Sequence, residues 1–368
     1  MGYGARVRWR RRSVGVRDLL AAKPDELREL DAHLWGSLCL LRPEPAGLLP
    51  IPGQLSTKEG RMLFRLLAEV WDGSGNVVEL GTLFGASTQA IGLGMAANPA
   101  RQGRLFSADA FGVYFPAEDM VAQLEPLLGG HPDWPEITAD FRERGFERAF
   151  AALHSSGRPY SAFLTVTRCL IPLRPGDSPA ALRKLLDDAA PVGVAFVDSV
   201  KHWYGVRALV LELVPRLARN ALVAWQDERW FNAYAICFFN ERLAPWFEPL
   251  AIGDGMHIYR YRGGASLAEL ESVLPATAAD AGAPELERVF GEVAWRSYLA
   301  NDAYGVLSAT LQLSFALAEV GRAGAAEELF QAARSIPGFL RHDELFRSAE
   351  GELAQLVGAP AQDNLTRN

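Results

Sequence analysis

Cysteine is scarce in this 368-residue chain. Cys39, Cys169 and Cys237 are scattered through apolar stretches, with no spacing that joins them. That excludes a zinc-ribbon pattern and a disulfide framework, and it fits a reducing compartment, so a cytoplasmic location is expected. Long hydrophobic runs are missing too. None approaches the ~18 residues of a membrane span, so no membrane partner is expected. Arg17 and Asp18 interrupt any apolar core after the N-terminal arginines, which argues against a secretory signal. Positive charge is in deficit: 37 Lys and Arg stand against 44 Asp and Glu, a net charge of −7, which argues against nucleic acid as the main partner. The basic cluster Arg6, Arg8, Arg10, Arg11 and Arg12 around Trp9 reads as a tail, with RNA or an anionic lipid surface as the alternative. No Gly-Lys-Ser/Thr occurs, which excludes a P-loop. What remains is ordinary for a globular protein: 49% hydrophobic and 22% charged residues.

Against those absences stands one informative stretch, Asn-Val-Val-Glu-Leu-Gly-Thr-Leu-Phe-Gly-Ala-Ser-Thr-Gln-Ala-Ile over 76–91. An apolar strand ends in Glu79, a turn carries Gly81 and Gly85, and Ser87 and Thr88 lead into an apolar helix. This is the pattern of a strand–loop–helix nucleotide site, in which glycines let backbone approach a ligand and a helix N-terminus offers free N–H groups. The dinucleotide fingerprint G-x-G-x-x-G is not met, because Leu83 stands where its second glycine should be. An acid before the loop suits a ligand bearing an amine rather than phosphates, and S-adenosylmethionine fits that description. A second short strand ends in Asp109, one strand–helix–strand unit later, where an acid can accept both ribose hydroxyls. The competing reading is an ordinary α/β protein with acids at its strand ends.

The organisation along the chain supports a doubly wound sheet. Leu19, Leu20, Leu27, Leu30 and Leu34 predict a helix over 17–37, followed by a Pro/Gly-rich connector from Arg42 to Gln54. Ser56 and Glu59 form a capping box that opens the next helix. Beyond Asp109, an irregular region over 112–167 is expected to hold two helices, near 118–128 and 141–153. Strands are expected at 169–173, 192–197 and 221–225, with helices near 179–186, 205–217 and 231–242. Asp254-Gly255 joins a terminal hairpin of 247–252 and 256–261. Alternating strands and helices imply a Rossmann-like, mostly parallel α/β sheet with one antiparallel strand. Three parts are therefore expected: 1–55 as tail, helix and connector, 56–263 as the α/β domain, and 264–368 as an all-helical extension. Leu317, Gly321, Ala326, Phe330, Ala333 and Pro337 resemble one tetratricopeptide unit.

The ordered motifs Val-Glu-Leu-Gly-x-x-x-Gly-x-Ser-Thr (78–88), Ser-Ala-Asp-Ala-Phe (107–111), Gly-Asp-Ser (176–178), Phe-Val-Asp (196–198) with Tyr-Gly-Val (204–206), and Gln-Asp (226–227) resemble one family. It is the class I methyltransferases related to macrocin O-methyltransferase, including cephalosporin-hydroxylase-like proteins. The resemblance spans about Leu55 to Arg262. It implies S-adenosylmethionine (SAM) as cofactor and O-methylation of a small-molecule acceptor such as a natural product, phenol or sugar hydroxyl. By position, Glu79 and Ser87 would hold the methionine end of the cofactor, Gly81, Thr82 and Gly85 would shape its loop, and Asp109 with Ala110 would meet the ribose. Asp177 and Ser178 would face the adenine, and Asp198 would complete the site. Family members often carry Asp-Gly-Asp-His at the third acidic strand and a paired acid after the next, a set able to hold Mg²⁺. Here Asp198-Ser199-Val200-Lys201-His202 departs from it, with Val200 replacing an acid. Asp198 and Asp227 remain as the candidate Mg²⁺ ligands.

A hydroxyl acceptor needs a base or a metal to become a nucleophile. His202 is the expected general base and Asp227 the alternative. Their bland roles are a solvent-facing helix start and a helix cap. Trp203, Tyr204, Trp225, Trp230, Phe231 and Tyr234 line an acceptor pocket in one reading and are packing in the other. A homo-oligomer is expected. Two further functions compete: a SAM-binding protein that has lost transferase chemistry, and a scaffold whose helical tail recruits a partner.

Overall fold

A computed structural model describes residues 47–154, 157–253, 255–300, 302–334 and 343–358. The arginine tail, the helix expected over 17–37, most of the connector, Asp254 and Pro337 lie outside the described residues. The chain divides into two compact units, with the break at Thr277/Ala278.

The first described unit is built on a seven-stranded sheet: β1 Asn76–Leu80, β2 Leu105–Asp109, β3 Leu164–Arg168, β4 Val192–Val197, β5 Leu217–Trp225, β6 Phe247–Ile252 and β7 His257–Tyr261. Their order is β3-β2-β1-β4-β5-β7-β6, with β7 antiparallel to both its neighbours and the other pairings parallel. The order reverses at β1/β4, the switch point where open α/β sheets bind ligands. Side chains alternate between faces. Val77, Leu105, Val194, Phe196, Leu222 and Ala224 therefore share one face, and they pack with helices α1 Thr57–Arg65 and α2 Ala86–Ala97 in one core. Helix α1 starts where the Ser56–Glu59 capping box stops the chain from fraying: Ser56 Oγ accepts from Glu59 N at 3.2 Å and Glu59 Oε2 from Ser56 N at 3.0 Å.

Between β2 and β3 the described residues form three α-helices where two helices were expected: α3 Ala117–Leu128, α4 Trp134–Glu143 and α5 Glu147–His154. Gly145, with φ +86°, separates the last two. Their apolar faces close a second core around Phe84, Phe111, Phe146 and Phe150. The strand expected at 169–173 is corrected to β3 at Leu164–Arg168. Thr165, Val166 and Thr167 favour an extended chain. Leu170 is 68% exposed and belongs to the loop that follows. Helices α6 Ala180–Ala189, α7 Trp203–Leu213 and α8 Tyr234–Arg242 follow β3, β4 and β5. The hairpin closes as expected, through Gly253 N to Met256 O at 2.7 Å. Helix α9 Leu267–Val273, expected in the extension, groups with this unit.

The second described unit is helical: α10 Ala278–Ala281, α11 Ala283–Leu299, α12 Ala303–Glu319, α13 Ala323–Arg334 and α14 Asp343–Gly358. Helix α12 is buried nearly throughout, between α11 and α13. Gly321 makes the turn into α13, and Ser314 Oγ donates to Ala326 O at 2.7 Å, so the small residues seen in the sequence bring two helices close.

Candidate functional site

Strand register gathers the acids. Glu79 lies beside Ser107 of β2 and Phe196 of β4, and Asp109 ends β2. One step further, Asp198 N donates to Leu80 O at 2.8 Å and Gln226 N to Val197 O at 2.9 Å. Counting the pleat by two from the core residues places Glu79, Asp109, Asp198 and Gln226 on the α1/α2 face, at the carboxyl edge.

Glu79 is wholly buried. Its Oε2 accepts from Ser107 Oγ at 2.6 Å and from Thr88 Oγ1 at 2.7 Å, whereas its Oε1 has no partner. Burial pushes the carboxyl up to about 7; the Ser107, Ser87 and Thr88 hydroxyls around it oppose that, and the Asp109 charge adds to it. The turn above it needs its glycines. A Cβ on Gly81 (φ +86°) would lie 2.0 Å from the Asp198 carbonyl oxygen, and one on Gly85 (φ +90°) would lie 2.0 Å from His154 Nε2. Leu83, without glycine's freedom, also sits at φ +45°. Gly85 caps α2 without a side-chain hydrogen bond, so the first-turn N–H groups of α2 are left for a ligand or solvent.

Asp109 fastens this turn. Its Oδ2 accepts from Thr82 N at 2.7 Å and Leu83 N at 3.1 Å, and its Oδ1 from Phe111 N at 2.8 Å. The Tyr114 hydroxyl stands 3.5 Å from Oδ1, a weak contact that leaves room for one stronger donor. The Ala110 carbonyl accepts from Arg168 Nη1 at 2.9 Å. Asp177 and Ser178 are exposed and serve their own loop. Asp177 Oδ2 accepts from Leu173 N and Arg174 N, which holds its carboxyl below the usual range, and Ser178 Oγ accepts from Ala180 N. No hydrogen bond described for them reaches Glu79 or Asp109.

The β4–β5 edge differs. Asp198 retains some surface but is enclosed by protein, and burial with the neighbouring Asp227, Glu59 and Glu79 charges pushes its carboxyl well above the usual range, against the opposing pull of Lys201. Lys201 Nζ donates to Asp227 Oδ2 at 2.5 Å, with both side chains partly exposed. Asp227 holds φ +59°, a left-handed conformation that a short acid tolerates. The Mg²⁺ ligand set Asp198/Asp227 is not supported, because an ammonium already neutralises Asp227 where a metal would need its charge. Among the described residues no group of three or more His, Cys, Asp or Glu is placed to hold an ion. His202 is the exposed residue that precedes α7, in the N-cap position without a side-chain cap bond.

The aromatic residues are mostly packing. Trp203, Trp225, Phe231 and Tyr234 are buried, and Trp203 lies 4.9 and 4.7 Å from the rings of Phe238 and Phe239. Tyr204 and Trp230 are half-buried.

No family model matches this chain, and no curated protein matches it. Several solved structures are similar at low identity. An O-methyltransferase from Bacillus cereus in complex with S-adenosylhomocysteine (SAH) is 15% identical, with TM-score 0.36, covering 67% of this chain and 94% of that one. A putative O-methyltransferase from Klebsiella pneumoniae is 15% identical, with TM-score 0.37, covering 63% and 91%. TomG from Streptomyces achromogenes, an O-methyltransferase of tomaymycin synthesis in complex with SAM, is 16% identical, with TM-score 0.36, covering 64% and 92%. None of these likenesses carries information about the ligands of this chain.

Sequence reasoning missed three contributors. Glu59 was read only as a cap, yet its Oε1 accepts from Gln226 Nε2 at 3.2 Å and Gly255 N at 2.9 Å, ties spanning 167 and 196 residues. His154, buried against Gly85, is held by Tyr160 Oη at 2.9 Å and the Phe84 carbonyl at 3.0 Å, and burial lowers it to about 4. Gln226 entered only as part of the Gln-Asp motif, whereas it is 4% exposed with its side-chain Oε1 unpaired. No local pattern marks such long-range partners.

Proposed function

We propose that this chain is a SAM-dependent methyltransferase acting on a small-molecule acceptor. The observation that carries the reading is Glu79: a fully buried carboxylate beneath a glycine turn, with one oxygen held by two hydroxyls and the other unpaired. An unsatisfied buried acceptor is costly, about 1–3 kcal/mol, and a ligand ammonium would satisfy both its hydrogen bond and its charge. Gly81, Thr82 and Gly85 would shape the turn around such a ligand. The uncapped N-terminus of α2, next to Ser87, suits a carboxylate. Asp109, with Ala110 beside it, would take a ribose hydroxyl at Oδ1. Amine, carboxylate and ribose together describe SAM better than NAD, whose pyrophosphate would press against Leu83. Bound there, SAM would supply an electrophilic methyl group. Asp177 and Ser178 stay in the proposal only as the exposed border of the adenine end.

On the acceptor side, the pairing of Asp227 with Lys201 favours Asp227 over His202 as the group that takes the acceptor's proton. Lys201 Nζ orients the Asp227 carboxylate, whereas His202 stands exposed at a helix start. O-methylation remains part of the proposal on the sequence resemblance, and a homo-oligomeric state is proposed alongside it. The test is calorimetric titration of the full chain with SAH, SAM and NAD. SAH or SAM should bind more tightly than NAD, and NAD binding more tightly would refute the reading.

A further inference from the structure

We infer that the β4–β5 side of the sheet's carboxyl edge, at Asp198, Gln226 and Glu59, receives a cationic hydrogen-bond donor, so that the acceptor carries an ammonium group. Calling that ligand the methyl acceptor rests on the function proposed above; the chemistry of the subsite does not.

Two independent observations lead there. The first is Gln226, 96% buried by its 4% exposure. Its amide orientation follows from its partner: Nε2 donates to Glu59 Oε1 at 3.2 Å, and the flipped amide would set two acceptors against each other. Oε1 is then left without a donor on a residue that shares its row and face with Asp198. Two backbone donors of this edge are committed elsewhere, Gly255 N to Glu59 Oε1 and Gln226 N to Val197 O, and Lys201 Nζ holds Asp227 Oδ2. A buried amide oxygen in this state calls for a donor from outside the chain.

The second observation is charge. Asp198 feels Asp227, Glu59 and Glu79, and the cation that opposes them, Lys201, is already bound to Asp227. An anionic acceptor entering here would add to that repulsion in a poorly solvated place, where charges act strongly. An ammonium would instead give Asp198 a counter-charge and Gln226 Oε1 a hydrogen bond at once. A neutral alcohol would meet only the second need.

The experiment uses the full chain with saturating SAH and three matched probe sets: benzylamine, benzyl alcohol and benzoate; cyclohexylamine, cyclohexanol and cyclohexanecarboxylate; glucosamine, glucose and glucuronate. Binding is read by saturation-transfer NMR and competition. In at least one set the amine should bind roughly tenfold or more tightly than its alcohol and its carboxylate. Gln226→Leu should weaken that amine roughly tenfold, as expected for losing a hydrogen bond to a charged group. Gln226→Glu should strengthen it. Asp198→Asn, a near-isosteric change, should erase the preference for charge, and unfolding curves verify that each variant is folded. Amines binding no better than alcohols or carboxylates, absence of any amine binding, indifference to these substitutions, or displacement of the amine by Mg²⁺ would each overturn the inference. The SAH titration stands apart. If SAH fails to bind, the cofactor reading fails and the probe sets are read on the free protein. If SAH binds and no amine preference appears, this inference alone fails.

Discussion

The β1–β2 edge and the β4–β5 edge of the same sheet both end in acids, but they treat them differently. At β1–β2, Asp109 is spent on the chain's own turn, accepting from the backbone of Thr82, Leu83 and Phe111, and Glu79 is half satisfied by Ser107 and Thr88. At β4–β5, Asp198 is enclosed among other carboxylates, and Asp227 is tied to a lysine. The first edge is preorganised by bonds between two adjacent strands and the turn that joins β1 to its helix. The second depends on partners far away in sequence, Glu59 above all. A ligand held by the first edge meets a fixed frame, and one held by the second meets a charge environment that a few substitutions could retune.

The sharpest way to break the comparison is to disturb the seam between the edges. Gly81→Ala would force a Cβ to within 2.0 Å of the Asp198 carbonyl while holding φ at +86°. We expect a loss of about 2–4 kcal/mol in urea unfolding, from backbone strain and overpacking together. Unchanged stability would mean that the edges do not lock.

The next effect is a pH dependence. Glu79 binds its proton more tightly folded, at about 7, than at the ordinary carboxyl value of 4.5. Between those values the folded state holds more protons, so stability falls as pH rises through this window and levels off above it. The expected change is on the order of 3 kcal/mol. Asp198 has the same sign, and so has Glu319 in the helical unit, which burial pushes up to about 7. Glu79→Gln should flatten the slope, and a slope unaltered by it would assign the effect to those other acids.

Ligand binding sharpens the contrast at the first edge. Asp109→Asn should weaken SAH by about 1.5–3 kcal/mol in calorimetry, the range for losing hydrogen bonds to a charged group. Exposed Asp177→Asn should change it far less. At the second edge, Lys201→Met should cost no more than about 1 kcal/mol of stability, since the pair is partly exposed. A larger loss would make Lys201 structural.

The sheet and the first edge were legible in the sequence because their signals are local. The strand, turn and helix over 76–91 are contiguous, and the Ser56–Glu59 box spans four residues. The β3 strand was misplaced because apolar Cys169–Leu173 looked like a strand, whereas the half-polar Thr165–Thr167 run is the one that pairs with β2. The aromatic cluster misled for a related reason: closeness to strand ends in sequence does not say which face a ring points to, and Trp203 turns into the α8 packing. Glu59 over Gln226, Lys201 on Asp227 and His154 on Gly85 arise only when distant segments meet.

The central claim is that Glu79 awaits a ligand ammonium. Titrating the full chain with SAH by calorimetry from pH 5.5 to 7, beside Glu79→Gln, tests it most directly. The account predicts SAH affinity rising with pH by up to about tenfold per unit as the carboxyl ionises, and a weak, nearly pH-independent affinity in Glu79→Gln. Affinity that is flat with pH and indifferent to Glu79→Gln, or no SAH binding at all, would contradict it.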